Sequence, residues 1–585
     1  MIIKSKNKKE QFLMIIISLW LCILMHLPLF NTGGSGFVLP QNIVTWMVVV
    51  CLCFTVVVGG NYKSFVITPT LLLFFTGAVL ITIPVSWSGL SPLCIESLPR
   101  FIGMWAGIFL YACLLQVRLK DSFKRNILLL IAISACIESC IVLQELFFPE
   151  YLDALKSQFI EHNGRQALGS FQQVNVTSSW IATGLAACIS LSYKKCFISK
   201  GVNKIYGKRE NKFSFEGVIY SIVICFLMIT LLLTQSRTGW LGGIICCGIF
   251  YLLILRGYRE RRGKYLSFNG WIIIFSPLIG ILIGLIMMNV SAAQALAQHA
   301  GSNNQRMLTL YTTWEMIKIH PLKGWGIGTF SLEFQQYLSG SIHRNSSHEL
   351  MTHPHNELLY IWFEGGIIAL AGFVLIVSSI IKLLLDQKTI TGMLRWTVLV
   401  PIVLHTQLEF PFYYSASHFI VILIVMSMLE NSRPHTTIKN QSAMSFRLQC
   451  ILNLGATAIA CLTLLWLVSI FHLEYILSKF EQNLLPEPDK ITTIYVPPMG
   501  ALRYKHDKNT LHLIDFYDTH AQDELELYVT DNRQSLKIHP NPDDYYYQIQ
   551  VLKFLGQNKE ADYNLEKARD LFPWDSRFNV GENDK

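Results

Sequence analysis

The apolar residues of this chain fall in runs of roughly 18–22, the length at which a helix rising about 1.5 Å per residue crosses ~30 Å of hydrocarbon. No feature constrains the fold more. Of 585 residues, 52% are hydrophobic and only 15% charged, against about 25% charged in ordinary soluble domains. A cytosolic enzyme is therefore excluded, and the expectation is an all-α polytopic membrane protein. Thirteen spans are predicted, near 12–30, 41–58, 66–86, 100–117, 126–147, 176–193, 216–234, 239–255, 270–289, 357–380, 396–410, 412–430 and 449–472.

Charge orients these spans. The net +9 is uneven: residues 473–585 hold 13 Lys/Arg against 20 Asp/Glu, and residues 1–472 hold 35 against 19. Basic residues recur in alternate loops, at Lys63, Arg118 to Arg125, Lys194 to Arg209, Arg256 to Arg262, Lys382/Lys388 and Arg433 to Arg447. These are the expected inside loops. Lys4 to Lys9 precede an apolar run followed by no small-residue cleavage site, so a first membrane helix with an inside start is expected rather than a signal peptide. An odd number of spans puts the acidic tail on the opposite, outer face. No basic stretch carries a nucleic-acid motif. All 14 cysteines lie at or before Cys461, nearly all inside apolar runs, with Cys94 expected in an outer loop. They form no disulfide framework.

The expected organisation is N-terminal spans over 1–160, a catalytic membrane region over 161–430 with a large outer loop at 290–356, a last span within 431–472, and a small, mainly α, outer domain over 473–585. That domain ends in a helix–turn–helix with Leu555-Gly556, Ala561, Ala568 and Pro573 near tetratricopeptide positions. An αα-hairpin without repeat function reads the same way.

Ionisable groups near a bilayer are costly and mark function by default. Five polar clusters fall on the expected outer face. Arg165, Gln172, Gln173 and Asn175 precede the sixth span and suit sugar hydroxyls or a phosphate, or helix capping. Gln235 and Arg237 lie in an outer turn where positive charge is disfavoured; a guanidinium there suits bidentate phosphate binding, or snorkels to headgroups. Arg306 is expected to begin a helical stretch containing Trp314, where backbone donors also attract anions. Gly324, Gly326 and Gly328 after it read as a tight turn, since no Lys-Ser/Thr follows. His353, His355 and Asn356 open the tenth span, with Glu364 two turns on. A histidine with pKa near 6.5 can take a proton at neutral pH. No third metal ligand follows at convincing spacing. Last, His405, Gln407, Glu409 and Pro411 interrupt an over-long apolar stretch, as a re-entrant polar turn or a plain hairpin would.

Together these segments resemble the O-antigen ligase/polymerase (Wzy_C) superfamily of bacterial inner-membrane glycosyltransferases. The resemblance rests on Arg306 and His355-Asn356 at the two ends of the outer loop and on Gln235-Ser-Arg237. Gly169…Gln173-x-Asn175 and His405-x-x-x-Glu409-Phe410-Pro411 are similar to motifs of the PglL-type protein O-oligosaccharyltransferases, with Val174 where that family usually has Pro. The resemblance implies a GT-C-like fold, an undecaprenyl-diphosphate-linked oligosaccharide as donor, and a Ser/Thr hydroxyl of a pilin-like exported protein as acceptor. It implies His355, Arg306 and Arg237 as catalytic residues. Arg165, Gln172, Gln173, Asn175, Gln235, His353, Asn356, Glu364, His405 and Glu409 would serve substrate binding or positioning. Neither metal, nucleotide nor other cofactor is expected; membrane lipids are partners and nucleic acid is not. The rivals are a lipid A–core ligase or an O-antigen polymerase and, in another class, a transporter or flippase, whose charges should sit near the midplane on broken helices.

Overall fold

The computed structural model describes residues 5–29, 36–58, 64–89, 91–152, 167–197, 214–260, 266–288, 300–340, 345, 347–430, 437–439, 446–482 and 488–579. The protein is all-α. In chain order the main helices are α1 Ser5–Cys22, α2 Pro40–Val57, α3 Pro69–Thr82, α4 Pro92–Leu115, α5 Asp121–Phe147, α6 Val174–Ser192, α7 Phe215–Leu233, α8 Arg237–Glu260, α9 Phe268–Met287, α10 Ala300–Ile319 and α11 Phe330–Ser339. They continue as α12 Glu357–Leu385, α13 Ile390–Trp396, α14 Val400–His405, α15 Pro411–Tyr414, α16 Ala416–Glu430, α17 Phe446–Glu481, α18 Ala501–Thr519, α19 Gln522–Ile538, α20 Pro542–Phe554 and α21 Asn558–Leu571. The described strands are two short ones, Ser64–Val66 and Thr437–Lys439, paired antiparallel.

Among the described residues eleven helices are long and apolar enough to cross a membrane, and they coincide with eleven of the thirteen predicted spans. The other two predicted spans are shorter apolar segments, Ile390–His405 and Ala416–Glu430. All of the second but Phe419 is buried, so its apolarity answers to protein neighbours. Peripheral helices behave in the opposite way: Leu282 and Ile286 of α9 and Leu454 of α17 are well exposed, as an apolar face against lipid requires.

The central helix is α6, buried at every position from Val174 to Ser190 and at Ser192. Small residues let its neighbours approach closely, as in membrane helix packing generally. At Gly184 an added Cβ would lie 2.0 Å from the Ala135 Cβ of α5. A break in α12 matters as much for the site. Gly366 adopts φ 65° and ψ −160°, a conformation open to glycine and costly for other residues. The gap receives the turn at 320–328: Ile367 N bonds Leu322 O, Trp325 N bonds Phe363 O and Gly326 N bonds Glu364 O. Gly324, Gly326 and Gly328 all have positive φ, in keeping with the tight turn read from the sequence.

Three boundaries depart from expectation. Cys94 is buried in the first turn of α4 rather than lying in a loop, because Ser91 caps that helix by accepting from Cys94 N. Arg306 is not at a helix start: α10 begins at Ala300, so the backbone N–H groups around Arg306 serve the helix itself and offer an anion nothing. The last apolar helix does not stop near 472 but runs 36 residues to Glu481. At about 1.5 Å per residue that is well beyond one bilayer crossing, and its far end carries Glu474, Ser478 and Glu481, all bonded by Arg503 of α18.

Beyond it, α18–α21 form a small helical unit with its own core, including Leu525, Val529, Ile549, Leu552, Leu571 and Phe572. The turn joining α20 to α21 uses Gly556 at φ 72°, giving the helix pair read at the end of the chain. This unit rests on α11, the Asn345 segment and the start of α4. Gln335 and Asn345 both donate to Leu571 O, at 3.1 and 2.8 Å, and His539 lies 2.6 Å from Glu96.

Candidate functional site

The polar segments meet around one carboxylate. Glu409, 5% exposed, follows α14 in a turn closed by Glu409 N to His405 O at 2.9 Å. Its Oε1 accepts from Asn175 Nδ2 at 2.5 Å and pairs with the Arg306 guanidinium. Its Oε2 accepts from Gln173 Nε2 at 3.1 Å and lies 3.3 Å from His405 Nε2. Burial alone would favour the neutral acid. The hydrogen bond from His405 and the charge of the Arg306 guanidinium outweigh it and hold the carboxyl below the ordinary carboxylate range.

The chain delivers these groups by ordinary helix chemistry. Gln173 caps α6, its Oε1 accepting from Val176 N at 2.7 Å, which turns its amide nitrogen toward Glu409. Asn175 bridges: its Oδ1 accepts from Ser236 Oγ at 2.6 Å, tying the turn before α8 to the start of α6. Arg237 is the next residue, half-buried and first in α8. The strand of chain before Gln173 is held from beneath by two acids of α5. Glu145 accepts from Leu168 N and Gly169 N at 2.6 and 2.9 Å, and Glu138 accepts from Ser170 N at 2.7 Å while facing His26 Nδ1 at 3.0 Å. Glu138 and Glu145 are seven residues apart, on one helix face.

His355 lies on the same side, its ring 5.3 Å from that of Phe410. Burial lowers its pKa from the ordinary 6.5; Glu409 opposes the shift and Arg306 adds to it. The imidazole is thus neutral at neutral pH. Its Nδ1 is buried without a hydrogen-bond partner, so no described carboxylate orients it as in a triad. Asn356 caps α12 by accepting from Leu359 N at 3.0 Å and donates to Gln407 O at 3.1 Å. It fastens the His355 segment to the Glu409 turn.

Other expected site residues sit differently. His353 is caged by Phe410, Tyr413 and Tyr360, with centroids 4.3, 4.5 and 4.9 Å away. Burial, then Arg100 and His355, take its pKa down to about 3, which leaves it a neutral packing residue. Glu364 pairs with Arg100 and accepts from Gly328 N at 2.8 Å, so it secures the glycine turn. Gln173 and Asn175 hold Glu409 rather than facing outward. Arg165 lies outside the described residues. Three of the four described non-glycine residues with positive φ are Gln172, Gln235 and His355, at 57°, 53° and 56°. Such strain gathers where a function over-determines the backbone.

Arg100, Glu138, Glu145, Ser179 and His418 escaped the sequence reading. Glu138 and His418 each carried the available signal, an ionisable residue inside an apolar run. Among the described residues, no group of three His, Cys, Asp or Glu side chains is disposed to hold a metal ion.

Helices and site together define a polytopic membrane enzyme that collects cations, amides and a neutral histidine on one face. Residues 221–374, which contain Arg306 and His355, match the family described as O-Antigen ligase; residues 393–582, which contain His405 and Glu409, match that described as virulence factor membrane-bound polymerase, C-terminal. Over 335 residues, 53% of this chain and 69% of the relative, the sequence is 22% identical to a Salmonella typhimurium protein named O-antigen ligase. These matches support membership of the O-antigen ligase (Wzy_C) superfamily.

Proposed function

We propose that this protein is an inner-membrane O-oligosaccharyltransferase, moving a preassembled glycan from undecaprenyl diphosphate to a Ser or Thr hydroxyl of a pilin-like exported protein. The observation that carries the reading is the Glu409 cluster, where Arg306, Gln173, Asn175 and His405 converge beside His355. Arg306 spends one Nη2 contact on Glu409, and a guanidinium has five N–H donors. The remaining donors, with Arg237, suit a lipid diphosphate.

In the transfer, the acceptor hydroxyl attacks the anomeric carbon. The bond from that carbon to the diphosphate oxygen breaks and a bond to the acceptor oxygen forms. His355 takes the hydroxyl proton. Charge grows on the departing diphosphate, where the arginines act by electrostatic stabilisation. The sugar–diphosphate bond supplies the driving force.

Two features support a protein acceptor: the His405-x-x-x-Glu409-Phe410-Pro411 segment, and the α18–α21 unit resting on the outer loop beside α11. On this reading that face and the unit are periplasmic. The O-antigen ligase named in Salmonella favours a second reading, the same chemistry with a lipid A–core acceptor. A strain making a lipid-linked oligosaccharide, given this protein and a candidate pilin, separates them. A pilin that gains the whole glycan mass supports the first reading. An unmodified pilin with a changed lipopolysaccharide ladder supports the second, and no change in either returns the transporter to the front.

A further inference from the structure

Behind Glu409 a second set of polar side chains runs into the apolar bundle, away from any solvent. His405 and His418 are fully buried, and Ser179 and Ser415 are 1% exposed. They form one line. His405 Nε2 faces Glu409 Oε2 at 3.3 Å and its Nδ1 meets Ser179 Oγ at 2.9 Å. Ser179 Oγ meets His418 Nε2 at 3.1 Å, and His418 Nδ1 meets Ser415 Oγ at 2.8 Å. The rings of Phe171 and Trp180 pack edge-on against His418 at 5.2 and 5.1 Å.

Proton count fixes the direction of this line. An ionised carboxylate only accepts, so His405 Nε2 carries hydrogen. The charge of Glu409 is already balanced by Arg306, and a second cation buried beside the pair would be uncompensated. His405 is then a neutral imidazole with a bare Nδ1, which needs a donor, and the Ser179 hydroxyl is the one within reach. Ser179 Oγ also lies 3.0 Å from Val176 O; one hydroxyl proton cannot serve both, and that carbonyl faces no unmet need comparable with a buried bare nitrogen. Ser179 then accepts from His418 Nε2–H, and the bare His418 Nδ1 accepts from the Ser415 hydroxyl. Each donor points toward Glu409.

We propose that His418, Ser179 and Ser415 are positioning residues of the transfer site, which lock His405 as its Nε2–H tautomer and so hold Glu409 ionised and aimed at Arg306. Aligned hydrogen bonds in a low-dielectric setting polarise one another in the same sense. None of the three touches substrate; they act through His405. The effect on catalysis rests on the transferase reading, whereas the tautomers do not.

The test therefore has two arms. Nitrogen-15 spectra of histidine-labelled full-length protein in lipid nanodiscs, assigned by the signals lost in His405→Gln and His418→Gln, should give Nε2–H tautomers for both rings at neutral pH. An Nδ1–H tautomer or an imidazolium at either ring overturns the proposal, whatever the acceptor. In transfer assays Ser179→Ala should lower kcat/KM for the donor about five- to tenfold, the scale of one buried hydrogen bond. His418→Gln keeps an amide donor toward Ser179 and should stay near wild type, while His418→Leu falls with Ser179→Ala. In a Glu409→Gln background, Ser179→Ala should cost nothing further, because its effect passes through Glu409. Equal losses in His418→Gln and His418→Leu, or losses that multiply in the double variant, overturn it. A wild type that transfers glycan to no acceptor fails the transferase reading alone, and the spectra still decide the tautomers.

Discussion

At the scale of single residues, the site runs on two charges and one neutral ring. Because burial lowers the His355 pKa, the base stays unprotonated to a lower pH than an exposed histidine would. The acid limb of kcat/KM should accordingly fall below pH 6.5, the ordinary histidine value, and a midpoint above it would contradict this assignment. Glu409→Gln removes the partner of Arg306, whose side chain is 25% exposed. Losing one member of a fully buried pair costs ~3–5 kcal/mol; with that solvent access the expected destabilisation is about 2 kcal/mol, read as a lower thermal midpoint together with weaker donor binding. The residues that do this work were legible unevenly. Arg306, His355 and Glu409 stand out as ionisable groups at span ends. The roles of Gln173 and Asn175 were not legible, since an amide that grips a sugar and one that grips a carboxylate 234 residues away look alike in sequence. His418 carried the signal of an ionisable residue in an apolar run, but nothing in the sequence joins it to Ser179 and His405, which it reaches only in the folded bundle.

At the scale of elements, the site depends on breaks in helices as much as on helices. The gap at Gly366 lets the 320–328 turn enter α12, and an added Cβ there would lie 2.1 Å from Leu322 O. Gly366→Ala should cost ~1–3 kcal/mol for the φ strain alone, more with the clash, and thermal unfolding of the purified protein would report it; an unchanged midpoint would mean that the turn is not locked as described. The eleven long spans were legible because lipid imposes length and apolarity on each independently. The two shorter segments were legible as apolar too, but not that α16 is buried by protein neighbours, because composition does not tell lipid from protein. The true end of α17 was equally opaque, since Glu474 becomes tolerable only through Arg503, 29 residues on.

At the scale of the whole molecule, the α18–α21 unit packs against α11, the Asn345 segment and the start of α4 through Leu571, Gln335, Asn345, His539 and Glu96. That arrangement suits recognition of an acceptor next to the transfer site. Deleting the chain after Glu481, with Arg503 and its partner Glu474 removed together by adding Glu474→Gln, should change acceptor choice more than donor binding. Equal loss of both would remove the recognition role. The split between a basic membrane part and an acidic tail was visible in the charges, but the docking was not, because it uses one backbone carbonyl, two amides and a His539–Glu96 pair with no sequence signature.

The most direct measurement is single-turnover transfer in proteoliposomes holding the purified protein, a lipid-diphosphate-linked glycan and an acceptor pilin, with wild type beside His355→Ala and Arg306→Gln. His355→Ala should lose roughly 10²- to 10⁴-fold in rate, the usual worth of a general base, at nearly unchanged donor affinity, while Arg306→Gln should lose both rate and affinity. Wild-type rates in His355→Ala, with the protein folded and the donor bound, would contradict the assignment of the site.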